Sequence, residues 1–292
     1  MIKNSDKGYK KNKQGKYGES KKKEYGNTRK AAIGSSTDRE NSSNPDAENI
    51  IAGRNPVAEL IKSGRTVDKI FISHTEKEGP LAKIIKLAKQ EGIPVVEADR
   101  DKLERISGIK NHQGVAAFTT DFVYSDVKEI VESAREKGEQ PFILIIDGIT
   151  DPGNLGAIIR TADACGVHGI ILPKRNTCGL TSTVFKAAAG ACEYVKISKV
   201  VNIANTINEL KEMNIWIYGL DGEADGNLYQ TDLKGSCAFV LGDEGKGVSR
   251  LVKDRCDYLI KIPMRGMINS LNVSVAGAVC MYERLRQTSS EN

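Results

Sequence analysis

The sequence predicts an α/β protein: a C-terminal domain on a mostly parallel sheet, preceded by a small α/β domain and a disordered basic tail. Three observations predict this. From Pro141 onward, apolar segments of strand length alternate with segments of helical periodicity. Those strands are apolar at nearly every position, as in a sheet covered on both faces, rather than at every second one. Aliphatic residues are scarce before about residue 48 and regular after it.

The tail comes first. Residues 1–48 are rich in Lys, Gly, Asn and Ser and cannot bury enough apolar surface to offset the entropy of ordering. Residues 1–30 hold eleven Lys/Arg and three Asp/Glu, a net +8. The whole 292-residue chain is +5, so the remaining residues sum to −3, and the basic balance belongs to the tail. Its lysines, interleaved with Tyr9, Tyr17 and Tyr25, suit an RNA-binding arm, with lysines on phosphates and tyrosines on bases.

Residues 49–120 read as the small α/β domain. Asn55–Pro56 marks a helix start, with Val57, Leu60 and Ile61 on one face. KIFIS (69–73) is a strand. Leu81, Ile84, Ile85 and Ala88 give a helix by their spacing. IPVVEA (93–98) is a strand, DKLERIS (101–107) a short helix and GVAAFTT (114–120) a third strand. Arg54, in AGRNP, and His112, in the turn before the last strand, are candidate RNA contacts, although residues in such turns are more often structural.

Residues 121–292 form the larger domain, with 121–140 a linker and helix (VKEIVESAREKG). FILIID (142–147), GIILP, YVKIS, IWIYGL, CAFVLGDE and YLIKIPM are its strands. NLGAIIRTADACG is a helix with Leu155, Ile158, Ile159 and Ala162 buried and Gly166 closing it. Further helices fall near 181–190, 200–213 and 248–256. The last helix is entered at Ser270, a plausible N-cap, with Leu271, Val275, Ala278, Val279 and Tyr282 as its buried stripe.

Composition excludes several classes. No run of about 18 apolar residues exists, so no transmembrane helix is expected. The six cysteines lack CxxC spacing and sit mostly in apolar segments, as free thiols of a reducing cytoplasm; no metal site is expected. No GxGxxG follows a strand, and LGDEGKGVS (241–249) lacks P-loop spacing. Polar residues instead gather where strands hand over to turns or helices, the place where open α/β sheets bind ligands. These are Asn154 and Arg160 in the first segment, Asp243, Glu244 and Lys246 in the second, and Arg265, Asn269, Ser270 and Asn272 in the third.

NLGAIIRTADACG, FVLGDEGKGVS and IPMRGMINSLNVSVAGAV, in that order, resemble the three motifs of the SpoU (TrmH-like) RNA ribose 2′-O-methyltransferases of the SPOUT class. AGRNPVAEL and NHQGVAAF resemble the L30e-like RNA-binding module of the longer members. The resemblance implies a C-terminal segment threaded into a deep trefoil knot, against the general rule of unknotted chains. It implies S-adenosyl-L-methionine as cofactor, held around Gly242, Ile262 and Leu271 with Gly219, Leu220 and Met264 nearby. It implies a homodimer with active sites at the subunit interface, and functional roles for Asn154, Arg160, Glu244, Ser270 and Asn272. The substrate it suggests is a guanosine of 23S rRNA. A tRNA guanosine, an rRNA adenosine, or a catalytically silent RNA-binding assembly factor are the alternatives. A guanidinium stays protonated, so Arg160 is expected to bind phosphate and stabilise a developing alkoxide rather than act as base. Ser270 and Asn272 would orient the hydroxyl, and Glu244 would fix Arg160 or accept a hydrogen bond.

Overall fold

The structure, a computed structural model, describes residues 49–74, 79–267 and 270–289. The expected tail, residues 1–48, and Asn269 lie outside the described residues.

The first sheet is mixed. Its strands are β1 (Ile50–Ala52), β2 (Val67–Ser73), β3 (Val95–Ala98) and β4 (Val115–Thr119), in the order β1-β4-β2-β3. β4 runs antiparallel to both β1 and β2, while β2 and β3 are parallel. Three helices accompany it: α1 (Arg54–Lys62), α2 (Pro80–Gln90) and α3 (Arg100–Ser107). The sequence reading missed β1, whose three residues are too few for a periodicity. It also began α1 at Asn55–Pro56, whereas Gly53 is the N-cap, at φ 114°, a conformation that favours glycine.

The second sheet has seven strands, and every pairing between neighbours is parallel. They are β5 (Phe142–Asp147), β6 (Gly169–Pro173), β7 (Lys196–Val200), β8 (Trp216–Leu220), β9 (Gly226–Asn227), β10 (Cys237–Gly242) and β11 (Tyr258–Lys261). Their order is β7-β6-β5-β10-β8-β11-β9, so β10 is inserted between β5 and β8, and β11 between β8 and β9. The apolar strands are buried on both faces, as their sequences require. Alternate residues divide between two cores. Phe142, Leu144, Ile146, Phe239 and Leu241 face α5 (Pro152–Ala164), α6 (Ser182–Ala187) and α9 (Val273–Ser289). Ile143, Ile145, Ala238 and Val240 face α4 (Val127–Glu136), α7 (Ile203–Glu212) and α8 (Arg250–Lys253).

α9 departs from the sequence reading. Its cap is Asn272, not Ser270: Asn272 Oδ1 accepts from the Ser274 amide at 2.9 Å and from the Ser274 hydroxyl at 2.6 Å. The buried face is Val273, Gly277, Cys280 and Met281. Leu271, Val275 and Tyr282 of the expected stripe are exposed, while Ala278 and Val279 are half-buried. The helix is apolar on two faces, so periodicity could not choose between them. Packing could: a Cβ on Gly277 would lie 2.8 Å from Leu241 Cδ1, so this glycine lets α9 close on β10.

The two sheets are joined through α1 and α6, and the described residues fall in one compact unit. Helix α6 packs on β1, and the Ser182 hydroxyl donates to the Ile50 carbonyl. A Cβ on Gly190 would lie 2.6 Å from Glu59 Cβ, so only glycine admits this approach. Arg65 Nη1 donates to Glu193 Oε1 at 3.0 Å, with the two side chains 13% and 4% exposed, and the guanidinium lies 5.6 Å from the Phe122 and Phe185 ring centroids. Burial raises the Glu193 carboxyl above its ordinary 4.5, although Arg65 pulls it down. Removing Arg65 alone leaves that carboxylate buried without its cation. Arg65→Met is expected to cost about 3–5 kcal/mol in urea unfolding, and Arg65→Met with Glu193→Leu to recover most of it. In wild type the unfolded carboxyl ionises first. Its contribution to stability therefore declines as the pH rises from about 4.5 through the higher folded value, a slope that Glu193→Gln removes.

Candidate active site

The C-terminal ends of β8, β10 and β11 open into a cavity of about 450 Å³. Leu220 and the turn 221–223 line it from β8, and Leu241 to Gly247 from β10. Ile260 to Ile262 and Met264 line it from β11, and Ser270, Leu271, Val273 and Ala276 from the entry to α9. Of the expected cofactor residues, Gly242, Ile262, Leu271, Leu220 and Met264 line this cavity. Gly219 does not: it is buried one residue earlier in β8, where a Cβ would lie 2.8 Å from Leu259 Cδ2 and 2.9 Å from Cys256 Sγ. That glycine serves strand packing.

The wall after β10 is a tight turn. Asp243 and Gly247 exchange backbone hydrogen bonds of 3.1 and 2.8 Å, and Asp243 Oδ1 accepts from the amides of Gly245 and Lys246. Gly247 has φ 65°, and a Cβ on Gly242 would fall 2.0 Å from Gly247 C. No other residue fits at 242. The turn is tied to β5 by the Ser249 amide, which donates to Asp147 Oδ2 at 2.8 Å.

Hydrogen bonds connect the three polar segments. Asp151 caps α5, accepting from the Asn154 amide at 2.7 Å, which fixes Asn154 in the first turn. Asn154 Nδ2 donates to Glu244 Oε1, and Asn272 Nδ2 donates to Asn154 Oδ1 at 3.0 Å. Asn154 thus bridges the β10 turn to the cap of α9, although Asn154 and Asn272 do not themselves line the cavity. Glu244 is held by Asn154 and not by Arg160. Arg160 is exposed, lies further along α5, does not line the cavity, and forms no ion pair among the described residues. The structure therefore puts Glu244 and Ser270 on the cavity wall, ties Asn154, and through it Asn272, to Glu244 behind it, and leaves Arg160 outside.

Asp221, Glu223 and Lys253 also line the cavity and were not singled out from sequence, whereas Lys246 was among the strand-end candidates. Asp221 pairs with Lys253, whose hydrogen bond holds the carboxyl below its ordinary value. The signal for Asp221 was its place directly after a strand, at the ligand-binding end of an open sheet.

The two expected RNA contacts meet at a different place. Arg54 donates from its amide to Gln113 Oε1 at 2.8 Å and from Nε to the Gln113 carbonyl at 3.1 Å. His112 is 4% exposed, and its Nδ1 accepts from the Gly114 amide at 3.1 Å. The ring shapes the turn from inside, the structural role that a turn histidine more often has.

No group of three or more His, Cys, Asp or Glu among the described residues is arranged to hold a metal, and no described helix is long and apolar enough to cross a membrane. All six cysteines are free.

Comparisons with known proteins agree with this architecture. Residues 141–282 match the SpoU rRNA Methylase family, and residues 50–125 match the RNA 2′-O ribose methyltransferase substrate binding family. A Bacillus subtilis (strain 168) protein assigned to the TrmH family of tRNA/rRNA methyltransferases is 44% identical over 238 residues, 81% of this chain and 95% of that protein. A Staphylococcus saprophyticus relative with the same assignment is 43% identical over 240 residues, 82% of this chain and 96% of its own. Among solved structures, the SpoU methyltransferase AviRb from Streptomyces viridochromogenes, in complex with AdoMet, superposes with a TM-score of 0.72 at 22% identity. It covers 87% of this chain and 95% of its own. Shared fold, both family matches and identity over most of the chain lead to one conclusion: the chain belongs to the SpoU/TrmH family of RNA ribose 2′-O-methyltransferases.

Proposed function

We propose that this protein transfers a methyl group from S-adenosylmethionine to the 2′-oxygen of a ribose in RNA, the substrate being a guanosine of 23S rRNA. One observation carries the reading: the cavity at the strand ends is built from the β10 turn, the β11 exit and the entry to α9, and Asn154 ties the α5 segment to two of these. The substrate-binding match over residues 50–125 supports residues 49–120 as the RNA-holding part and 121–292 as the catalytic part. The insertion of β10 and β11 between earlier strands supports the trefoil-knotted reading of the C-terminal segment, and the mixed four-stranded sheet the L30e-like one.

The cavity fits the cofactor. Leu220, Leu241, Ile260, Ile262 and Leu271 offer apolar walls for an adenine, backbone groups of 242–247 offer polar partners, and Asp221 and Glu223 offer carboxylates for hydroxyl groups. When bound, the cofactor supplies an electrophilic methyl group on a sulfonium. The chain's own work is to place the ribose oxygen in line with it. Ser270, on the cavity wall, orients the 2′-hydroxyl, and Glu244, held by Asn154, accepts a hydrogen bond from it. Asn272 positions: its cap sets the start of α9 and its amide holds Asn154.

Arg160 lies outside the cavity of its own chain, so in this reading it reaches the ribose across a subunit interface. Leu271 is 39% exposed, Val275 48% and Tyr282 53%, along one side of α9 beside the cavity. The stripe that reads as core in the sequence thus becomes the core of a homodimer. Size-exclusion chromatography with light scattering is expected to give a dimer for wild type and a monomer for Val275→Asp with Tyr282→Glu.

Labelled methyl from S-adenosylmethionine is expected to enter a single guanosine of unmodified 23S rRNA, mapped as a 2′-O-methyl group. Ser270→Ala should lose about 100-fold in rate. Arg160→Lys should keep partial activity if its charge is what matters, and near-complete loss with RNA binding intact would refute that role. Label in tRNA alone would overturn the target, and no cofactor binding would overturn the enzyme reading. Asn272→Ala is expected to cost about 1 kcal/mol in urea unfolding through the lost cap, and to slow transfer as Asn154 loses its tie.

A further inference from the structure

At the opposite edge of the large sheet lies a second cavity, of about 520 Å³, that the methyl-transfer chemistry does not use. It opens where β8, β10 and β11 begin, whereas the cofactor cavity opens where they end. A five-residue strand separates the two by roughly 15 Å. Trp216, Tyr218 and Tyr258 form its aromatic wall, and Thr231, Asp232 and Ser236 its polar one.

The aromatic wall follows from register. Trp216 and Tyr218 are two apart in β8 and share a face, and Tyr258 pairs with Tyr218 across the β8–β11 ladder. The Tyr218 and Tyr258 rings stack at 5.4 Å with 19° between planes, and Trp216 tilts onto Tyr258 at 5.7 Å. The row continues inward through Phe239 and Phe142, which are buried, but Trp216 is 52% exposed and Tyr258 49%. Two large rings tilted at 46° to each other at a cavity mouth, half in water, leave aromatic faces that no protein ring covers.

A buried cation lies behind the cavity wall, without lining it. Arg284, 6% exposed, sets its guanidinium 5.4 Å from the Phe142 centroid and donates from Nη2 to the Gly235 carbonyl at 3.4 Å. Gly235 and Cys237 belong to the cavity wall directly in front of it. Among the described residues Arg284 forms no ion pair, and its buried Nε has no hydrogen-bond partner. Gln287 pins the facing loop, accepting from the Leu233 amide at 2.9 Å and donating to the Thr231 carbonyl at 3.0 Å, so the cavity is held open.

We propose that this cavity binds an unstacked nucleobase of the RNA substrate, which lies on the Trp216–Tyr258 platform while Asp232, Ser236 and Thr231 meet its edge. The proposal rests on RNA being the substrate. A flat, electron-rich ring with donors and acceptors around its rim matches both the aromatic wall and the buried cation behind it. Its distance from the methyl-transfer site makes Trp216 and Tyr258 positioning residues, which hold the strand rather than react.

Trp216 is the chain's only tryptophan, so its emission reports this cavity alone. The full chain is titrated with an unlabelled single-stranded 12-nucleotide RNA while emission is read, and with the dye-labelled strand while anisotropy is read. Emission is expected to quench saturably over the concentrations at which anisotropy saturates. Tyr258→Leu and Trp216→Leu, both at half-exposed positions that folding tolerates, should weaken binding about tenfold, and Trp216→Phe should restore most of it. In methyl transfer they should raise KM for RNA and leave kcat unchanged. Saturating anisotropy with unchanged emission, or leucine variants that bind like wild type, would overturn the proposal. Quenching by a wild-type chain that transfers no methyl to any RNA would instead overturn the functional reading and leave the base site standing.

Discussion

The structure depends on β10 pairing in parallel with β5 on one side and β8 on the other. Cys237–Gly242 runs in register with Phe142–Asp147, and all six β10 residues are buried. In a parallel ladder each strand must be brought back by a long crossover, and a strand arriving late in the chain can enter only if its neighbours leave a gap. Once seated, β10 delivers Gly242 to the strand end. The turn after it then folds back so closely that no side chain fits at 242. The Asp147–Ser249 bond and the Asn154–Glu244 bond both follow from this seating, because each joins the β5 side to the β10 side. The cavity exists because β10 and β11 end level with β8 and α9 closes over them through Gly277.

A second constraint sets the four-stranded part against the seven-stranded part. Gly190 against Glu59, Ser182 against Ile50, and the buried Arg65–Glu193 pair leave α1 and α6 one way to meet. A buried ion pair is weak evidence of added stability but good evidence of specified geometry, since a slipped interface would strand both charges. The relation between the four-stranded and seven-stranded sheets is therefore a built interface and not a loose linkage.

Much of this was legible in the residues. Strands that are apolar throughout mark the covered parallel sheet, and FILIID and CAFVLG, its two most apolar segments, became the central pair. The reading from Asn154 began α5 two residues late: the helix starts at Pro152 with Asp151 as its cap. Glu244 and Ser270 could be singled out because strand-to-turn boundaries are where open sheets bind ligands, whereas Ile262 and Leu271 came from the family resemblance. Errors fell where local signals were balanced or absent. Serine and asparagine both cap helices, so Ser270 and Asn272 could not be separated.

The sequence by itself determined which of the longer segments are strands and helices, and which polar residues stand at strand ends. These properties depend on neighbours within a few positions. Only the tertiary structure decided strand order, the face of α9 that enters the core, the placing of Gly219 in packing rather than in the cavity, and the exclusion of Arg160 from the cavity of its own chain. Each depends on which distant surface arrives opposite, and that information lies in no window of the sequence. The aromatic row from Trp216 to Phe142 is the clearest case. Its members come from four strands spread over more than a hundred residues, and parallel register alone brings them into one line.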